Sequence, residues 1–525
     1  MIELRSALDV ALAILLAGAF AAQMVRWLRV LQREHYDPSS MSRFLGRWSS
    51  PPVASAKSVE RAKRKRPITL SHVLIVVLVV TVVARLNVGV VLVGIAYGLF
   101  CPQGLSLKGR TSPLQWTRRL TTIAVVASTA SLLVALAGVF TVQPGLLAVA
   151  MVWAVPLVLD VTTRALGPYE ERRAGNYVDQ AKARLARVHP RVVAITGSYG
   201  KTSTKNHLAD ILGREGAVVA SPRSFNNRAG LSRAINENLA DGTRIFIAEM
   251  GTYQPGEIRA LCTWCPPEIS IVTAIGPVHL ERMKSLDVID RAKFEITELA
   301  HTVVLNIDDP HLAKWVDRLT EREKVVCTAG STNPAASVQV TVDAAQWHLV
   351  VDGAAIGSVP AIAGVQVTNL ACALAAALAL GVGPEDLLGR VARVTAVANR
   401  LNVLTAPSGV VVIDDTFNAN PASAAAALAA LASMPLSGRR VVVTPGLIEL
   451  GTEQYGSNIL LAQKIATMGA ELVIVGRTNV PSLTTGYERP LRRFDVRDEA
   501  VAWVRSALVG GDGVLYLNDL PDHYP

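Results

Sequence analysis

A glycine-rich segment that ends in a lysine and two hydroxyl residues spans Thr196–Ser203, and its residue types suit phosphate binding. Glycines let backbone N–H groups approach an anion, a lysine reaches the terminal phosphates of a nucleotide, and a threonine hydroxyl can bind Mg²⁺. We assign the segment to nucleotide binding, Thr202 also to metal binding and Lys201 also to catalysis. Its members are Thr196, Gly197, Ser198, Tyr199, Gly200, Lys201, Thr202 and Ser203.

The elements on either side of this segment are those that a phosphate loop requires. The run Arg191–Thr196 is β-branched and apolar, which predicts a buried strand, and Lys205–Leu212 has the pattern of a helix. A strand that leads through a glycine-rich turn into a helix places an anion at the positive helix N-terminus. The general P-loop pattern has a further glycine where this sequence has Ile195, so the loop is a shortened one.

Polar residues at the ends of later strands are candidates for the rest of the site. Glu249 ends an apolar run, and a carboxylate at the carboxyl end of a strand beside a phosphate loop is a usual Mg²⁺ ligand. A later apolar run ends in two acids, the second of which is Asp415, and Asn418 and Asn420 follow. Because buried polar side chains are costly unless paired, we expect Asp415 to orient nucleotide or metal-bound groups and the two asparagines to bind substrate.

The phosphate loop and the motifs after it resemble those of the Mur ligase family. The run from Thr196 to Lys205 is similar to the shortened nucleotide loop of these enzymes, which use ATP to form amide bonds in peptidoglycan stem peptides. Within the family, the sequence looks most like the member that adds D-alanyl-D-alanine. The resemblance covers residues 190–525 and implies a P-loop central domain followed by a C-terminal Rossmann-like domain.

The resemblance also implies roles for side chains that would otherwise be read as structural. By themselves, His279 would be a structural histidine and Lys293 part of a solvated helix face. In the family pattern they hold a second Mg²⁺, with Lys293 as its carbamate, while Thr202 and Glu249 hold the first. The remaining assignments are Asn306 and Asn369 beside the nucleotide, a catalytic Arg400 beside its γ-phosphate, and Asn226 and Asn227 in a substrate loop.

The sequence departs from the family pattern where the substrates would be recognised. Phe417 and Gln366 stand where the family usually has Tyr and His, and Asn518–Asp522 replaces a Lys-Gly-Ser-Arg run. An apolar region also takes the place of the family's uridine-nucleotide-binding domain. The resemblance therefore supports nucleotide chemistry more strongly than it identifies the acid and the amine that are joined.

The first third of the sequence predicts a membrane module. Hydrophobic residues make up 50% of the 525 residues and charged residues 18%, with a mean hydropathy of +0.34. Apolar stretches cover 6–25, 69–100, 120–140 and 146–159. A spanning helix needs about 20 residues, so 69–100 is either one long helix or a hairpin broken at Arg85–Asn87. We favour the hairpin and hence five spans over a single helix, and over buried helices of a soluble core.

The positive charge of the chain is concentrated beside these apolar stretches. The formal net charge is +10, yet residues 26–66 carry +8 and residues 101–119 carry +4, so the rest is slightly acidic. Basic loops favour the cytoplasmic side and anionic lipid headgroups. This pattern predicts a multi-pass protein of the cell (inner) membrane, with its N-terminus outside, its catalytic domains in the cytoplasm and membrane lipid as a partner. It argues against nucleic acid as a partner.

We therefore expect an α-helical transmembrane module at 1–165, a central ATP-binding α/β ligase domain at 166–398 and a C-terminal Rossmann-like domain at 399–525. The expected function is an ATP-dependent carboxylate–amine ligase that acts through an acyl phosphate, with ATP and two Mg²⁺ as cofactors. The expected substrates are a UDP-MurNAc-tripeptide and D-Ala-D-Ala. A lipid-linked or poly-amino-acid substrate and a non-catalytic scaffold of cell-wall synthesis remain as alternatives, and protein partners remain open.

Overall fold

The structure is a computed structural model of the chain. It describes residues 2–34, 36–38, 40–49, 70–102, 105, 107, 114–137, 144–213, 217–222, 225–343, 345–362, 364–395, 402–416 and 419–519. In these ranges the chain forms a helical region followed by two α/β domains. Arg400, Phe417 and Asn418 lie outside the described residues.

Within those ranges, long apolar helices precede the first strand. Their bounds are α1 (Ile2–Arg33), α2 (Ser40–Ser49), α3 (Leu70–Val83), α4 (Asn87–Phe100), α5 (Arg118–Ala137) and α6 (Pro144–Val188). Three segments are long and apolar enough to cross a membrane, namely Ala7–Arg33, Arg118–Ala137 and Gly145–Val188. Many of their large apolar side chains are exposed on the outside of the helical region, for example Ile14, Leu133 and Leu157.

Within the stretch 69–100, residues 70–100 fold as a hairpin, as expected from the sequence. The turn lies where Arg85 takes a left-handed φ of +55°, and the N–H of Leu86 donates to the carbonyl of Thr81. Gly89 then passes so close to Thr81 that a Cβ would lie 2.9 Å from the Thr81 Cγ2. Helices α3 and α4 have 14 residues each, about 21 Å, which is shorter than the ~30 Å hydrocarbon core. The apolar segments from which five spans were expected thus fold as three long helices and one pair of short ones, and their crossing of a membrane stays a prediction.

Buried polar side chains of α1 satisfy the carbonyl end of α4. The Gln23 amide donates to the carbonyls of Tyr97 and Gly98 at 3.3 and 3.1 Å. The Arg26 guanidinium donates to Gly98 at 2.6 Å and to Leu99 at 2.5 Å. The last carbonyls of a helix have no partner within it, so these contacts let the short helix end inside the helical region.

A single helix connects the apolar region to the first α/β domain. Helix α6 has 45 residues, about 68 Å, and it contains Pro156 and Pro168 without a break in the helix. The expected boundary between residues 165 and 166 lies within this helix. The ligase-like domain is therefore joined to the apolar helices by a rigid element instead of a loop.

The central domain is built on a nine-stranded sheet with the order β2-β3-β1-β4-β5-β6-β7-β8-β9. Strands β1 to β7 pair in parallel, and β7, β8 and β9 form antiparallel hairpins at one edge. Parallel strands covered on both faces are continuous apolar runs, as the sequence of β1 shows. The strands are β1 (Arg191–Thr196), β2 (Val218–Ala220), β3 (Ile245–Glu249), β4 (Ile269–Val272), β5 (Thr302–Asn306), β6 (Val325–Gly330), β7 (Val338–Asp343), β8 (Gln346–Val351) and β9 (Ala354–Pro360).

Helices cover both faces of this sheet and enclose two separate apolar cores. On one face the Ala-rich helix α14 packs against α7 and against strands of the sheet, because its small side chains allow close approach. The helices are α7 (Lys201–Leu212), α8 (Arg228–Asn238), α9 (Glu257–Trp264), α10 (Leu280–Met283), α11 (Leu286–Phe294), α12 (Pro310–Ala313), α13 (Trp315–Thr320), α14 (Val367–Ala379) and α15 (Pro384–Val391).

The last domain has a six-stranded sheet with the order β10-β11-β15-β12-β13-β14. All its pairs are parallel except β10 with β11, which agrees with the expected Rossmann-like layer. Its strands are β10 (Asn402–Thr405), β11 (Val411–Asp415), β12 (Arg440–Thr444), β13 (Glu471–Val475), β14 (Arg492–Phe494) and β15 (Gly513–Leu517). Its helices are α16 (Pro421–Ser433), α17 (Gln454–Thr467), α18 (Val480–Gly486) and α19 (Arg497–Ala507).

Candidate nucleotide and metal site

The phosphate loop joins β1 to α7 and needs glycine at two positions. Gly197 has a φ of +149° and Gly200 a φ of +81°, which side chains other than glycine rarely adopt. A Cβ on Gly200 would also lie 2.2 Å from the Asn369 Oδ1. The loop therefore turns tightly under Asn369 and presents its backbone N–H groups at the N-terminus of a 12-residue helix, which favours an anion.

Lys201 is held over its own loop. Its Nζ donates to the carbonyl oxygens of Gly197 at 2.6 Å and Ser198 at 3.4 Å. Because these acceptors belong to the loop that would surround the phosphates, the ammonium lies where it can exchange them for phosphate oxygens.

Glu249 is the centre of a buried polar cluster at the end of β3. The Thr202 hydroxyl and the Lys205 ammonium each donate to its Oε2 at 3.0 Å, and the Asn226 amide donates to its Oε1 at 3.1 Å. Its side chain is 1% exposed. Burial raises the pKa of this carboxyl, but the positive charges of Lys205 and Lys201 outweigh that effect, and the pKa stays below its ordinary value. Glu249 is therefore an anion in the folded chain.

The donor set of Thr202 and Glu249 fits a magnesium ion. Mg²⁺ prefers oxygen ligands and commonly takes one or two from the protein, with the rest from phosphates and water. A threonine hydroxyl and an ionised carboxylate that already lie 3.0 Å apart meet that requirement. The described residues contain no group of three or more His, Cys, Asp or Glu that could hold a metal. Cys262 and Cys265 are buried free thiols, and burial raises the pKa of Cys262 to about 12.

Lys293 lies in α11 and is buried, contrary to the solvated face that its sequence context alone indicates. It is 3% exposed, and burial together with the nearby charge of Lys201 lowers the pKa of its amine well below the ordinary value. Among the described residues its amine forms no hydrogen bond or ion pair. The structure thus places a buried amine, whose charged form is disfavoured by burial, close to Lys201 of the phosphate loop.

His279 lies at the boundary between the two α/β domains. Its Nδ1 is 2.5 Å from the Glu449 Oε2 of the last domain, and its ring lies against Tyr253 with centroids 4.6 Å apart. The backbone takes a φ of +53° at His279 and +62° at Glu449. Within the described residues, the structure pairs His279 with Glu449 and records no contact between His279 and Lys293.

Asn306 and Asn369 border the loop from β5 and α14. The Asn306 amide donates to the carbonyl of Thr273 at 2.9 Å, and the Thr273 hydroxyl donates to the carbonyl of Tyr199. The Asn369 amide donates at 3.0 Å to Gln366. Gln366, which stands where the family has His, therefore orients the asparagine that covers the phosphate loop.

Three of the four predicted substrate asparagines, Asn226, Asn227 and Asn420, lie in the described residues, and they have different roles there. Asn226 binds Glu249 directly, whereas Asn227 caps α8 by accepting from the Gly230 N–H at 2.9 Å. Asn420 caps α16 in a reciprocal pair with Ser423. The sequence indicates the capping role of Asn420, because Asn followed by Pro and, three residues on, by Ser is typical of a helix start. The assignment of Asn227, Asn418 and Asn420 to substrate stays a prediction.

Asp415 ends β11 at the carboxyl edge of the second sheet. It is 3% exposed, and its carbonyl accepts from the N–H of Asn518 at 3.0 Å. The Asn518 amide donates to the carbonyl of Gly446 at 2.8 Å. Three neighbouring strands are thereby joined at the edge from which the segment with Glu453 projects. Burial raises the pKa of Tyr199 in the phosphate loop, and the charges of Asp309 and Glu453 add to this effect.

Three residues of the site were missed in the sequence. Lys205 ends the run that resembles the family's nucleotide loop, but its neighbours in sequence do not indicate that it pairs with Glu249. Glu449 belongs to no motif that was assigned to the site. Asn518 was noted only as a departure from the family motif. Each acts through a partner that is distant in sequence, which a linear motif does not reveal.

Two family models match the chain. The Mur ligase middle domain matches residues 195–377, and the Mur ligase glutamate ligase domain matches residues 399–517. Curated proteins named UDP-N-acetylmuramoyl-tripeptide--D-alanyl-D-alanine ligase are similar in sequence. That of Mycobacterium leprae is 34% identical over 49% of this chain and 53% of its own length, and that of Bacillus subtilis is 30% identical over 52% and 59%. The chain thus spans just over half the length of these relatives.

Solved structures of MurF have a similar fold. A MurF crystal structure from Acinetobacter baumannii is 24% identical, with a TM-score of 0.57, over 66% of this chain and 77% of that one. MurF from Thermotoga maritima in complex with ADP is 24% identical, with a TM-score of 0.57, over 66% and 80%. At this identity the likeness establishes the fold of the two α/β domains.

Proposed function

The chain belongs to the Mur ligase family through residues 195–377 and 399–517, and we propose on this premise that it is an ATP-dependent carboxylate–amine ligase. The observation that carries the proposal is the buried cluster in which Lys201, Thr202, Lys205 and Asn226 surround an ionised Glu249. This cluster lies at the N-terminus of a helix and combines cations, an oxygen pair for Mg²⁺ and a glycine loop. Those are the parts that phosphoryl transfer needs.

In the proposed reaction, a substrate carboxylate oxygen attacks the γ-phosphorus of ATP, and the bond from that phosphorus to the β–γ bridging oxygen breaks to release ADP. The nitrogen of an amine then attacks the acyl carbon, the C–N bond forms, and inorganic phosphate leaves as the amine loses a proton. The loop N–H groups and Lys201 bind and orient the phosphates, and Arg400 lies beside the γ-phosphate in the family pattern. Positioning and charge neutralisation suffice, so no protein nucleophile is required.

Thr202 and Glu249 would hold one Mg²⁺, which when bound supplies charge neutralisation at the phosphates. A second ion on His279 and carbamylated Lys293 is part of the same proposal. Burial and the charge of Lys201 lower the pKa of the Lys293 amine, which supports this part of the proposal because only the neutral form of an amine can add carbon dioxide. Its neighbour Lys201 supplies the positive charge that an anionic carbamate would need.

We infer that the substrates are of the kind named for the relatives, a UDP-MurNAc-tripeptide and D-Ala-D-Ala. Sequence identity of 30–34% over the matched region supports this inference. We also infer that α1, α5 and α6 cross the cell membrane and that the hairpin of α3 and α4 enters and leaves on one side. This arrangement keeps the basic segments 26–66 and 101–119 and the catalytic domains together in the cytoplasm.

A lipid-linked carboxylate is the second candidate substrate. It is favoured by α6, which runs from the apolar helices directly into β1 and so places the ligase domains beside the bilayer. The family's uridine-nucleotide-binding domain has no counterpart among the described helices at this place. A substrate held by its lipid would need no such domain.

The test is phosphate release by the purified full chain in detergent with ATP, Mg²⁺, UDP-linked muramoyl tripeptide and D-alanyl-D-alanine, omitting one component at a time. Release that needs both organic substrates supports the stem-peptide ligase, and a Lys201→Ala variant should abolish it. Release that appears only when a membrane lipid extract replaces the soluble precursor supports the lipid-linked substrate. No ATP-dependent release under either condition would leave the non-catalytic scaffold as the function.

A further inference from the structure

A chain of side-chain contacts joins the helical region to the last domain through His279. The Arg282 Nη2 lies 2.5 Å from the Oε2 of Glu34, near the end of α1, and the Arg282 guanidinium lies 4.7 Å from the centre of the Tyr253 ring. The Tyr253 ring packs on His279, and His279 binds Glu449. The three parts of the molecule therefore meet at a histidine that is a proposed metal ligand.

The contact between Glu34 and Arg282 is shielded from water. The Glu34 side chain is 7% exposed and that of Arg282 is 22% exposed, and Asp37 adds a second negative charge that acts on the guanidinium. Exposed ion pairs contribute little, whereas removing one partner of a desolvated pair is costly. The pair is therefore able to hold Arg282 in one place.

Arg282 lies where it can fix His279. It belongs to the four-residue helix α10, which begins directly after His279, and its N–H donates to the His279 carbonyl at 2.9 Å. His279 has a left-handed φ of +53°, which costs free energy for a residue with a side chain and persists only where the surroundings hold it. Arg282 on one side and Glu449 on the other restrain His279 in this conformation.

We propose that Glu34 of the helical region is a positioning residue for His279. It holds Arg282 under the ring of Tyr253, and the ring and the short helix together set the direction of the imidazole. The helical region is then a working part of the ligase site as well as a candidate membrane anchor. The inference rests on the proposed function, and Glu34 lies outside residues 195–517, to which the family models extend.

The experiment compares the full-length wild type with Glu34→Gln, which keeps the shape of the side chain and removes its charge. Hydrogen–deuterium exchange of a peptide covering residues 276–285 is followed without substrates, and the Mg²⁺ dependence of phosphate release is followed with them. Glu268→Gln is the control for the loss of one carboxylate charge, since Glu268 also pairs with an arginine, Arg191, at 2.7 Å, in a contact more exposed than that of Glu34. Arg191 begins β1, at the opposite end of that strand from the phosphate loop.

We expect Glu34→Gln to speed exchange in 276–285 about ten-fold and to raise the half-saturating Mg²⁺ concentration about three- to ten-fold, in line with coupling between contacting residues. Glu268→Gln should change neither. In an Arg282→Gln background, Glu34→Gln should have no further effect. Exchange in Glu34→Gln equal to that of the control, or additive effects in the double variant, would overturn the proposal.

The two readouts separate this inference from the proposed function. The exchange experiment uses no substrate, so it decides the positioning role even if no ligase activity is found. Where Glu34→Gln fails to fold, Arg282→Gln alone breaks the same contact from the ligase side and is judged by the same exchange criterion.

Discussion

Replacing Lys205 by methionine tests the buried pair at the centre of the site. The Lys205 Nζ lies 3.0 Å from the Glu249 Oε2, and the two side chains are 2% and 1% exposed. Methionine keeps an unbranched apolar chain of similar length, so the change removes the charge with little loss of packing. Glu249 then remains buried as a carboxylate, with the hydrogen bonds from Thr202 and Asn226.

The expected magnitude follows from this burial. Removing one partner of a buried ion pair costs about 3–5 kcal/mol, and about 2–4 °C of Tm is lost per kcal/mol in a folding unit of 150–250 residues. The Tm should therefore fall by roughly 6–20 °C. Breaking the pair of Arg439 and Glu471, whose side chains are 38% and 42% exposed, should cost no more than about 1 kcal/mol, or about 4 °C.

The assay is thermal unfolding of the purified full chain in detergent, followed by tryptophan fluorescence. Trp264, Trp315 and Trp347 are buried in the central domain and report its unfolding. Glu471→Gln is the control. Since the loss comes from an uncompensated charge, Lys205→Met combined with Glu249→Gln should recover more than half of it.

A fall of less than about 2 °C in Lys205→Met, or a double variant no more stable than the single one, would refute this reasoning. Either result would mean that Thr202 and Asn226 satisfy the carboxylate by themselves, and that Lys205 is not needed to keep Glu249 ionised.

Three further predictions concern other titratable groups of the central domain. Lys201→Ala should lower the rate of phosphate release about 10²–10³-fold, as for other donors to a developing anion, while the Tm changes little. Equal rates of phosphate release in the wild type and the variant would exclude a catalytic role of Lys201. Burial lowers the pKa of His207 from 6.5 to about 4. Below pH 6.5 the imidazole is therefore protonated in the unfolded chain, whereas in the folded chain it stays neutral down to about pH 4. The free energy of unfolding should therefore fall by about 2 kcal/mol between pH 6.5 and 5, and His207→Leu should lose this part of the acid sensitivity. Identical pH profiles of the Tm in the wild type and in His207→Leu would contradict this prediction. Lys293→Met should abolish phosphate release yet raise the Tm at pH 7. Burial lowers the pKa of Lys293, so folding disfavours the charged amine that the unfolded chain carries, and methionine removes this cost. A lower Tm would show that the amine is stabilised by a partner.

The nucleotide loop was predicted from the sequence in its type, position and flanking elements. Its function depends on residues that are adjacent in the chain, since glycines at 197 and 200 set the turn and Lys201 and Thr202 follow directly. Glu249 was predicted because strand ends meet at one edge of a parallel sheet. The hairpin at 69–100 was also predicted, because a charged and polar break in an apolar run marks a turn.

Other residues were assigned to the site by their residue type, and the structure shows contacts for them that the sequence did not predict. Asn227 and Asn420 cap helices, because a side-chain oxygen at a helix start accepts from unpaired N–H groups. Lys293 is buried although its neighbours are charged, because its helix turns that face toward the phosphate loop. A charged segment does not indicate which of its members faces inward.

The sequence by itself determined the phosphate loop, the order of strands and helices that carries it, and the apolar region that precedes it, because each depends on neighbouring residues and on local periodicity. Only the tertiary structure decided that Lys205 pairs with Glu249, that His279 meets Glu449, and that Glu34 reaches Arg282. These partners are separated by 44, 170 and 248 residues. Such contacts depend on how rigid elements pack against one another, and no local pattern of residue types records that packing.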